Sequence, residues 1–204
     1  MAAYQRIVNF KKSRVIQTYI LLAFLGFITS FVPKESCPLA IVNEILALLA
    51  VPMFLVFLGR HKHASKRYFS LLSFVMMIEM AIFFVEPILR IFYGSIFFWI
   101  EIVVLIFLGI VSYRIAENVA LGFIKPGSKF GLIIYAVCGA IIGLGAIVYR
   151  ITLGAEVPDA FPIAIILYLF SLMFLFICPI MLIRPARVEE LSQGDNKHKG
   201  VNRI

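Results

Sequence analysis

Long apolar runs alternate with short polar segments along most of the chain. A helix needs about 20 residues to cross the hydrocarbon core of a bilayer, because each residue adds about 1.5 Å. Runs of about this length, bounded by charges, Pro or Gly, cover residues 15–32, 39–59, 69–89, 91–113, 130–150 and 161–183. The pattern predicts an all-α bundle of six transmembrane helices. It forms one domain over residues 1–183, and a polar tail follows at 184–204.

The boundary between the third and fourth runs rests on a few residues. The stretch 69–113 is too long for one crossing and suits two. Glu86-Pro87, Arg90 and Gly94-Ser95 mark the predicted turn, because Pro removes a backbone donor and Gly permits turn geometry. A short turn of this kind would make the third and fourth helices antiparallel neighbours.

The segment after the fourth run has a different pattern. Ile115, Val119 and Phe123 recur every four residues, which predicts that the fourth helix continues for two or three turns with an apolar stripe in the membrane interface. Lys125-Pro126-Gly127 should end it.

Composition excludes a soluble protein. Hydrophobic residues make up 62% and charged residues 15% of the chain, against about 25% charged in soluble domains. Two of the three cysteines, Cys138 and Cys178, lie within apolar runs, so neither a disulfide framework nor redox chemistry is predicted.

The net charge of +8 is explained by topology. Basic residues are held on the cytoplasmic side during insertion, and sixteen of the 19 Lys and Arg residues fall on one side of a six-span arrangement. This predicts cytoplasmic N and C termini, in a prokaryotic cytoplasmic membrane or, alternatively, a eukaryotic organelle membrane. Nucleic acid is not a predicted partner, because no folded extramembrane domain presents the charge.

Acidic residues inside apolar runs are the main candidates for function. An ionised carboxylate in hydrocarbon costs at least about 2.5–3.5 kcal/mol, yet Glu44, Glu79 and Glu101 all lie within predicted helices. If Glu79 and Glu101 face each other, both cannot ionise cheaply and one would hold a proton, as a proton-coupled carrier requires. The alternative is that each carboxyl only joins helices through hydrogen bonds.

Glu86 and Arg90 share a helical face with Glu79, because they follow it at seven and eleven residues. Together with Glu44 and Arg150 they would form an outward-opening polar vestibule. The simpler alternative is an interfacial ion pair between Glu86 and Arg90 that only anchors the turn.

The fifth run contains Gly139 and Gly143, a spacing that lets helix backbones approach closely, within this bundle or with a partner subunit. His61 and His63 flank Lys62 in a basic loop that disfavours a divalent metal, so no metal site is predicted. No nucleotide-binding or catalytic motif is present, and no cofactor is predicted.

These patterns predict a small-solute or proton-coupled transporter, or a membrane-embedded substrate-binding subunit, with Glu79 and Glu101 lining the path. A non-catalytic subunit of a larger complex and an intramembrane enzyme acting on lipid are the alternatives. The predicted partners are the lipid bilayer, a small-molecule solute, and a partner membrane subunit or second copy. The six-span layout resembles that of the substrate-binding subunits of energy-coupling-factor vitamin importers, in architecture only, so no residue role is transferred.

Overall fold

The computed structural model describes residues 7–125, 127–154 and 160–191, and the regular elements in these ranges are helical. The α-helices are α1 (Val15–Thr29), α2 (Cys37–His61), α3 (Ser65–Ile91), α4 (Ile96–Arg114), α5 (Ala116–Ile124), α6 (Lys129–Gly154) and α7 (Ala160–Ile177). Two 3-10 helices, Phe10–Lys12 and Cys178–Leu182, precede α1 and follow α7. The predicted tail beyond residue 191 lies outside the described residues.

Five helices are long and apolar enough to cross a membrane, which confirms the prediction of an all-α, multi-pass membrane protein. They are α2, α3, α4, the Gly131–Val148 part of α6, and Ala160–Leu182. The remaining apolar helix, α1, has 15 residues, so it is about 22 Å long against a hydrocarbon core of about 30 Å. The count of six crossings therefore stays a prediction.

The structure differs from two details of the predicted helices, although Gly94-Ser95 lie in the turn and Lys125 ends α5 as predicted. The turn between the third and fourth helices begins after Ile91, because α3 continues through Pro87, and Gly94 adopts a positive φ of 79° within this turn. The chain also breaks at Ile115, so the extension of the fourth helix is a separate helix, α5. Val119, predicted to face the membrane interface, is fully buried in the protein.

Helix α3 lies at the centre of the bundle. One face, which includes Tyr68 and Phe83, packs against α1 and α2. The opposite face packs along α7, where the Ser171 hydroxyl donates a hydrogen bond to the Ala81 carbonyl at 2.7 Å. Half of the apolar window of α3 is buried, against 6% in α4 and 11% in α6. The outer helices thus present most of their apolar surface away from the protein, as lipid-facing helices do.

Helix α1 runs beside α3 in the same direction. The Tyr68 hydroxyl near the start of α3 donates to the Ser13 carbonyl at 2.9 Å, just before α1 begins. Near the end of α3, Arg90 donates to the Ser30 carbonyl at 3.0 Å, just after α1 ends. Tyr68 and Arg90 are separated by about 33 Å of helix, so α1 and its flanking residues lie alongside most of α3.

Basic segments that are distant in sequence meet at the Tyr68 end of the bundle. The Val8 amide donates to the Lys62 carbonyl at 3.0 Å, which joins the N-terminal segment to the end of α2. Lys66 pairs with Glu189 at 2.8 Å, and this hydrogen bond lowers the pKa of the Glu189 carboxyl. The N-terminal segment, the loop after α2 and the segment after the second 3-10 helix therefore lie on the same side of the molecule.

Helix α4 does not pack along α3, contrary to the prediction that the two are antiparallel neighbours. It packs against α7, where the Ser112 hydroxyl donates to the Leu175 carbonyl at 3.1 Å. Helix α7 thus contacts both α3 and α4, and α6 packs against α5 and α7. A short connection keeps only the facing ends of two helices close, so the returning helix α7 can take the longer interface.

Candidate functional site

Helices α1, α2 and α3 approach one another closely at Gly26 of α1. A Cβ added at Gly26 would lie 3.0 Å from the Asn43 Cβ and 3.2 Å from the Phe83 Cζ. Both distances are shorter than ordinary van der Waals contact, so a side chain at this position would push α1 away from α2 and α3. The absence of a side chain brings the backbone of α1 within hydrogen-bond distance of polar groups on the other two helices.

Asn43 uses this approach to connect all three helices. Its side-chain Nδ2 donates to the Gly26 carbonyl at 3.0 Å and to Glu86 Oε2 at 2.7 Å. Asn43 is only 2% exposed. An amide has two N–H donors, so one side chain satisfies a backbone acceptor of α1 and a carboxylate of α3. Sequence analysis selected the neighbouring Glu44 and not Asn43, although Asn43 is the one amide in its apolar run and that was the available signal.

Arg90 does not form the predicted ion pair with Glu86 in the described residues. Its guanidinium instead donates to three carbonyls after α1, those of Ser30 at 3.0 Å, Val32 at 2.7 Å and Lys34 at 2.7 Å. Carbonyls at a helix C-terminus lack partners within the helix and carry partial negative charge, so a cation is favourable there. Arg90 therefore holds the end of α1 against the end of α3.

Glu79 lies two turns from Glu86 on the same face of α3, as predicted. Both residues are half-buried, and each has one carboxyl oxygen that is buried without a hydrogen-bond partner, Glu79 Oε2 and Glu86 Oε1. Nearly all buried polar atoms in proteins have a partner, so these two oxygens are unusual. Both residues lie on the same face of α3 as Tyr68 and Phe83, which is the face that packs against α1 and α2.

Glu101 lies on the other side of the bundle. Its carboxyl is hydrogen-bonded to the hydroxyl of Tyr168 on α7, and its Oε2 is buried without a partner. Helix α7 packs against the face of α3 opposite Glu79. The structure therefore does not bring Glu79 and Glu101 together, and the condition for a proton shared between these two carboxyls is not met.

Glu44 and the two glycines have different surroundings. Glu44 is half-buried on α2 and, among the described residues, makes no hydrogen bond with Asn43, Glu86 or Arg90. Gly139 and Gly143 are exposed, and a Cβ added at either would meet no atom within 4 Å. The predicted close helix packing at these glycines is therefore not made inside this bundle.

Cavities occur elsewhere in the molecule. Four were delineated within the described residues, with volumes of about 610, 510, 330 and 490 Å³. None of the four is lined by Glu44, Glu79, Glu86, Arg90 or Glu101. No group of three or more His, Cys, Asp or Glu side chains in the described part of the chain is placed to hold a metal ion.

No family model, curated protein or solved structure matches the chain. The class of protein is therefore defined by the fold, which is that of an integral, multi-pass helical membrane protein with five helices able to cross a bilayer.

Replacement of Asn43 by Leu should destabilise the bundle. The change leaves Glu86 Oε2 without its donor and removes the bond to α1, which should lower the free energy of unfolding by about 1–3 kcal/mol. Thermal unfolding in detergent measures the effect. Asn118→Leu, at an exposed position on α5, is the matched control and should leave the midpoint nearly unchanged. Equal midpoints for Asn43→Leu and the unchanged chain would show that Asn43 does not hold the three helices together.

Proposed function

We propose that the chain crosses the membrane six times, with both termini in the cytoplasm, and that it is a proton-coupled small-solute transporter or membrane-embedded binding subunit. Support for the sixth crossing comes from α1, which runs beside α3 between the Tyr68 and Arg90 contacts. The meeting of basic segments at the Tyr68 end supports the orientation, because such segments are retained on the cytoplasmic side.

The observation that carries the transport proposal is that, within the described residues, three buried carboxyl oxygens have no hydrogen-bond partner, on Glu79, Glu86 and Glu101. Unsatisfied polar atoms in apolar surroundings are costly, and acidic residues within membrane spans commonly belong to proton or solute pathways. A carboxyl whose second oxygen has no protein partner is free to bind a proton or a polar group of a solute. That capacity would offset the cost of placing it in the membrane.

The proposed path differs from the one expected at first. Glu86 and Glu79 share one face of α3, and about 10 Å of helix separates them. Glu86 lies one turn from Arg90, at the end of the bundle opposite the basic segments. We therefore place the proton path on α3, from Glu86 inward to Glu79. Glu101 and Tyr168 form a second, separate position between α4 and α7.

Chemical labelling tests whether Glu79 exchanges protons. A lipid-soluble carbodiimide reacts with protonated carboxyl groups and leaves an adduct that peptide mass spectrometry locates. With the chain in liposomes, we expect labelling of Glu79 that falls as pH rises from about 5 to about 9, because a proton-carrying group must titrate in that range. Glu117→Gln, at an exposed position on α5, is the control and should not change the labelling of Glu79.

A Glu79 that is unlabelled, or labelled equally at every pH, would contradict proton exchange at this residue.

The solute-binding part of the proposal is tested with Glu79→Gln and Glu101→Gln, by measuring thermal shifts with a panel of small solutes. At least one solute should stabilise the unchanged chain and fail to stabilise a variant. An identical response in all three proteins would remove both carboxyls from the solute path.

A second candidate function is that of a non-catalytic membrane subunit, and the surroundings of Gly139 and Gly143 favour it. Helix α6 packs against α5 and α7 through other residues. A Cβ added at Gly145, for example, would lie 3.8 Å from the Ile166 side chain of α7. The open space over Gly139 and Gly143 leaves a small-residue face available to a helix of another subunit.

Bulky substitution on this face should block association. Gly139→Leu and Gly143→Leu should reduce the oligomeric fraction or the yield of co-purified subunits, while the midpoint of thermal unfolding of the monomer should not fall. Crosslinking in liposomes measures the oligomeric fraction. Gly109→Leu on α4, where an added Cβ also meets nothing within 4 Å, is the matched control. Unchanged association in both α6 variants would contradict this function for the glycine face.

A further inference from the structure

A polar cavity lies where α4 ends and the chain returns from α7. It has a volume of about 610 Å³, within the usual range for small-ligand sites. The charged and aromatic side chains that line it are those of Tyr113, Arg114, Glu117, Arg184, Arg187 and Glu190. We call it the arginine cavity. Tyr113 and Arg114 are the last residues of an apolar helix, and this position corresponds to the headgroup level of a bilayer.

Two arginines of the cavity have no acidic partner among the residues that the structure describes. Arg187 pairs with Glu117 at 3.2 Å and with Glu190 at 3.2 Å, and these hydrogen bonds raise the pKa of its guanidinium. In the described part of the chain, Arg114 and Arg184 make no side-chain ion pair. Their charges remain uncompensated while the cavity's two carboxylates are taken up by Arg187. Guanidinium groups bind phosphate oxygens through paired N–H donors, so the cavity favours a phosphate.

An apolar cleft of about 510 Å³ lies between α4, α6 and α7. Only apolar or thiol side chains line it: Leu108, Ile115, Ile133, Ile134, Val137, Cys138, Ile141, Leu169, Leu172, Met173 and Phe176. The cleft covers residues Leu169 to Phe176 of α7, which correspond to about 10 Å along the helix axis. Its apolar lining and its extent along the helix axis suit part of a lipid acyl chain.

Residues that line the arginine cavity and residues that line the apolar cleft are close in sequence at two places. At the junction of α4 and α5, Ile115 lines the cleft and Ala116 lines the cavity. At the end of α7, Phe176 lines the cleft, and Pro179 in the following 3-10 helix lines the cavity. The polar part therefore lies toward the end of the bundle, and the apolar part extends toward its middle. A phospholipid in a bilayer has the same order of polar and apolar parts.

We propose that the arginine cavity and the apolar cleft together form a binding site for one anionic phospholipid. Arg114 and Arg184 bind the headgroup phosphate, and the cleft between α4, α6 and α7 holds an acyl chain. Basic pockets between membrane helices recognise anionic headgroups by this chemistry. The site involves none of Glu79, Glu86 and Glu101, so it is independent of the proposed proton path.

Native mass spectrometry of the full chain in detergent tests the headgroup part. The chain is titrated with dioleoylphosphatidylglycerol or dioleoylphosphatidylcholine, and the lipid-bound fraction is measured. We expect the first bound phosphatidylglycerol to be preferred by about tenfold or more. Arg114→Gln/Arg184→Gln should lose this preference. Arg60→Gln/Lys62→Gln removes the same charge from exposed positions at the end of α2 and should retain it.

A second pair of variants tests the cleft. Val137→Trp fills the cleft and should lower phosphatidylglycerol retention, whereas Ile142→Trp, on the same helix but outside the cleft, should not. Excess inorganic phosphate distinguishes a lipid from a free phosphate compound, because without an acyl chain it should not displace the bound lipid from the unchanged chain.

Three results would overturn the proposal. An equal preference in the Arg114→Gln/Arg184→Gln and Arg60→Gln/Lys62→Gln variants would mean that general basic charge attracts the lipid. Displacement by inorganic phosphate would identify a site for free phosphate, and equal retention by the two Trp variants would remove the cleft from it. If the double variant does not fold, Arg184→Gln alone replaces it in the test. This variant should fold, because Arg184 is exposed, lies outside the helices and makes no side-chain hydrogen bond in the described chain. It should weaken the preference, and an undiminished preference would also count against the site.

Discussion

The hydrocarbon core of a bilayer contains no water, so a polar group of a membrane-spanning helix needs a hydrogen-bond partner within the protein. Asn43 meets this requirement where α1, α2 and α3 approach closely, by donating to both the Gly26 carbonyl and Glu86. The lack of a side chain at Gly26 permits the approach, and Arg90 holds the following turn through three carbonyls. The position of the short helix α1 beside α3 depends on these bonds, since apolar contact alone does not favour protein over lipid.

This constraint divides the molecule into two parts, which meet where α3 packs against α7. Helices α1, α2 and α3 enclose a polar network with two carboxyl oxygens that lack partners, on Glu79 and Glu86. Helices α4, α6 and α7 leave the apolar cleft between them, and the arginine cavity lies nearer the end of the bundle. The first part suits the movement or binding of protons and small polar groups, and the second suits a lipid. Because α7 packs along α3, a change in either part can reach the other through this interface.

The helices were predictable from sequence because the thickness of the hydrocarbon core sets the length of an apolar run, whatever the helices pack against. Their arrangement was not. The short turn after Ile91 indicated that α4 packs along α3, but closure of a turn constrains only the helix ends, and α7 occupies that interface. Glu79 and Glu86 were correctly placed on one face, because helical periodicity is local. Arg90 was assigned the wrong partner because its acceptors are backbone carbonyls, which every residue has and which no sequence pattern distinguishes.

The central claim is that α1 crosses the membrane beside α3, which gives six crossings in all. Single cysteines introduced by Asn9→Cys, Glu35→Cys, His63→Cys and Tyr93→Cys, at exposed positions in a chain without Cys37, Cys138 and Cys178, test it directly. A membrane-impermeant maleimide is applied to sealed vesicles of known orientation. We expect positions 9 and 63 to react from the cytoplasmic face and positions 35 and 93 from the opposite face. Reaction of positions 9 and 35 from the same face would contradict a crossing by α1.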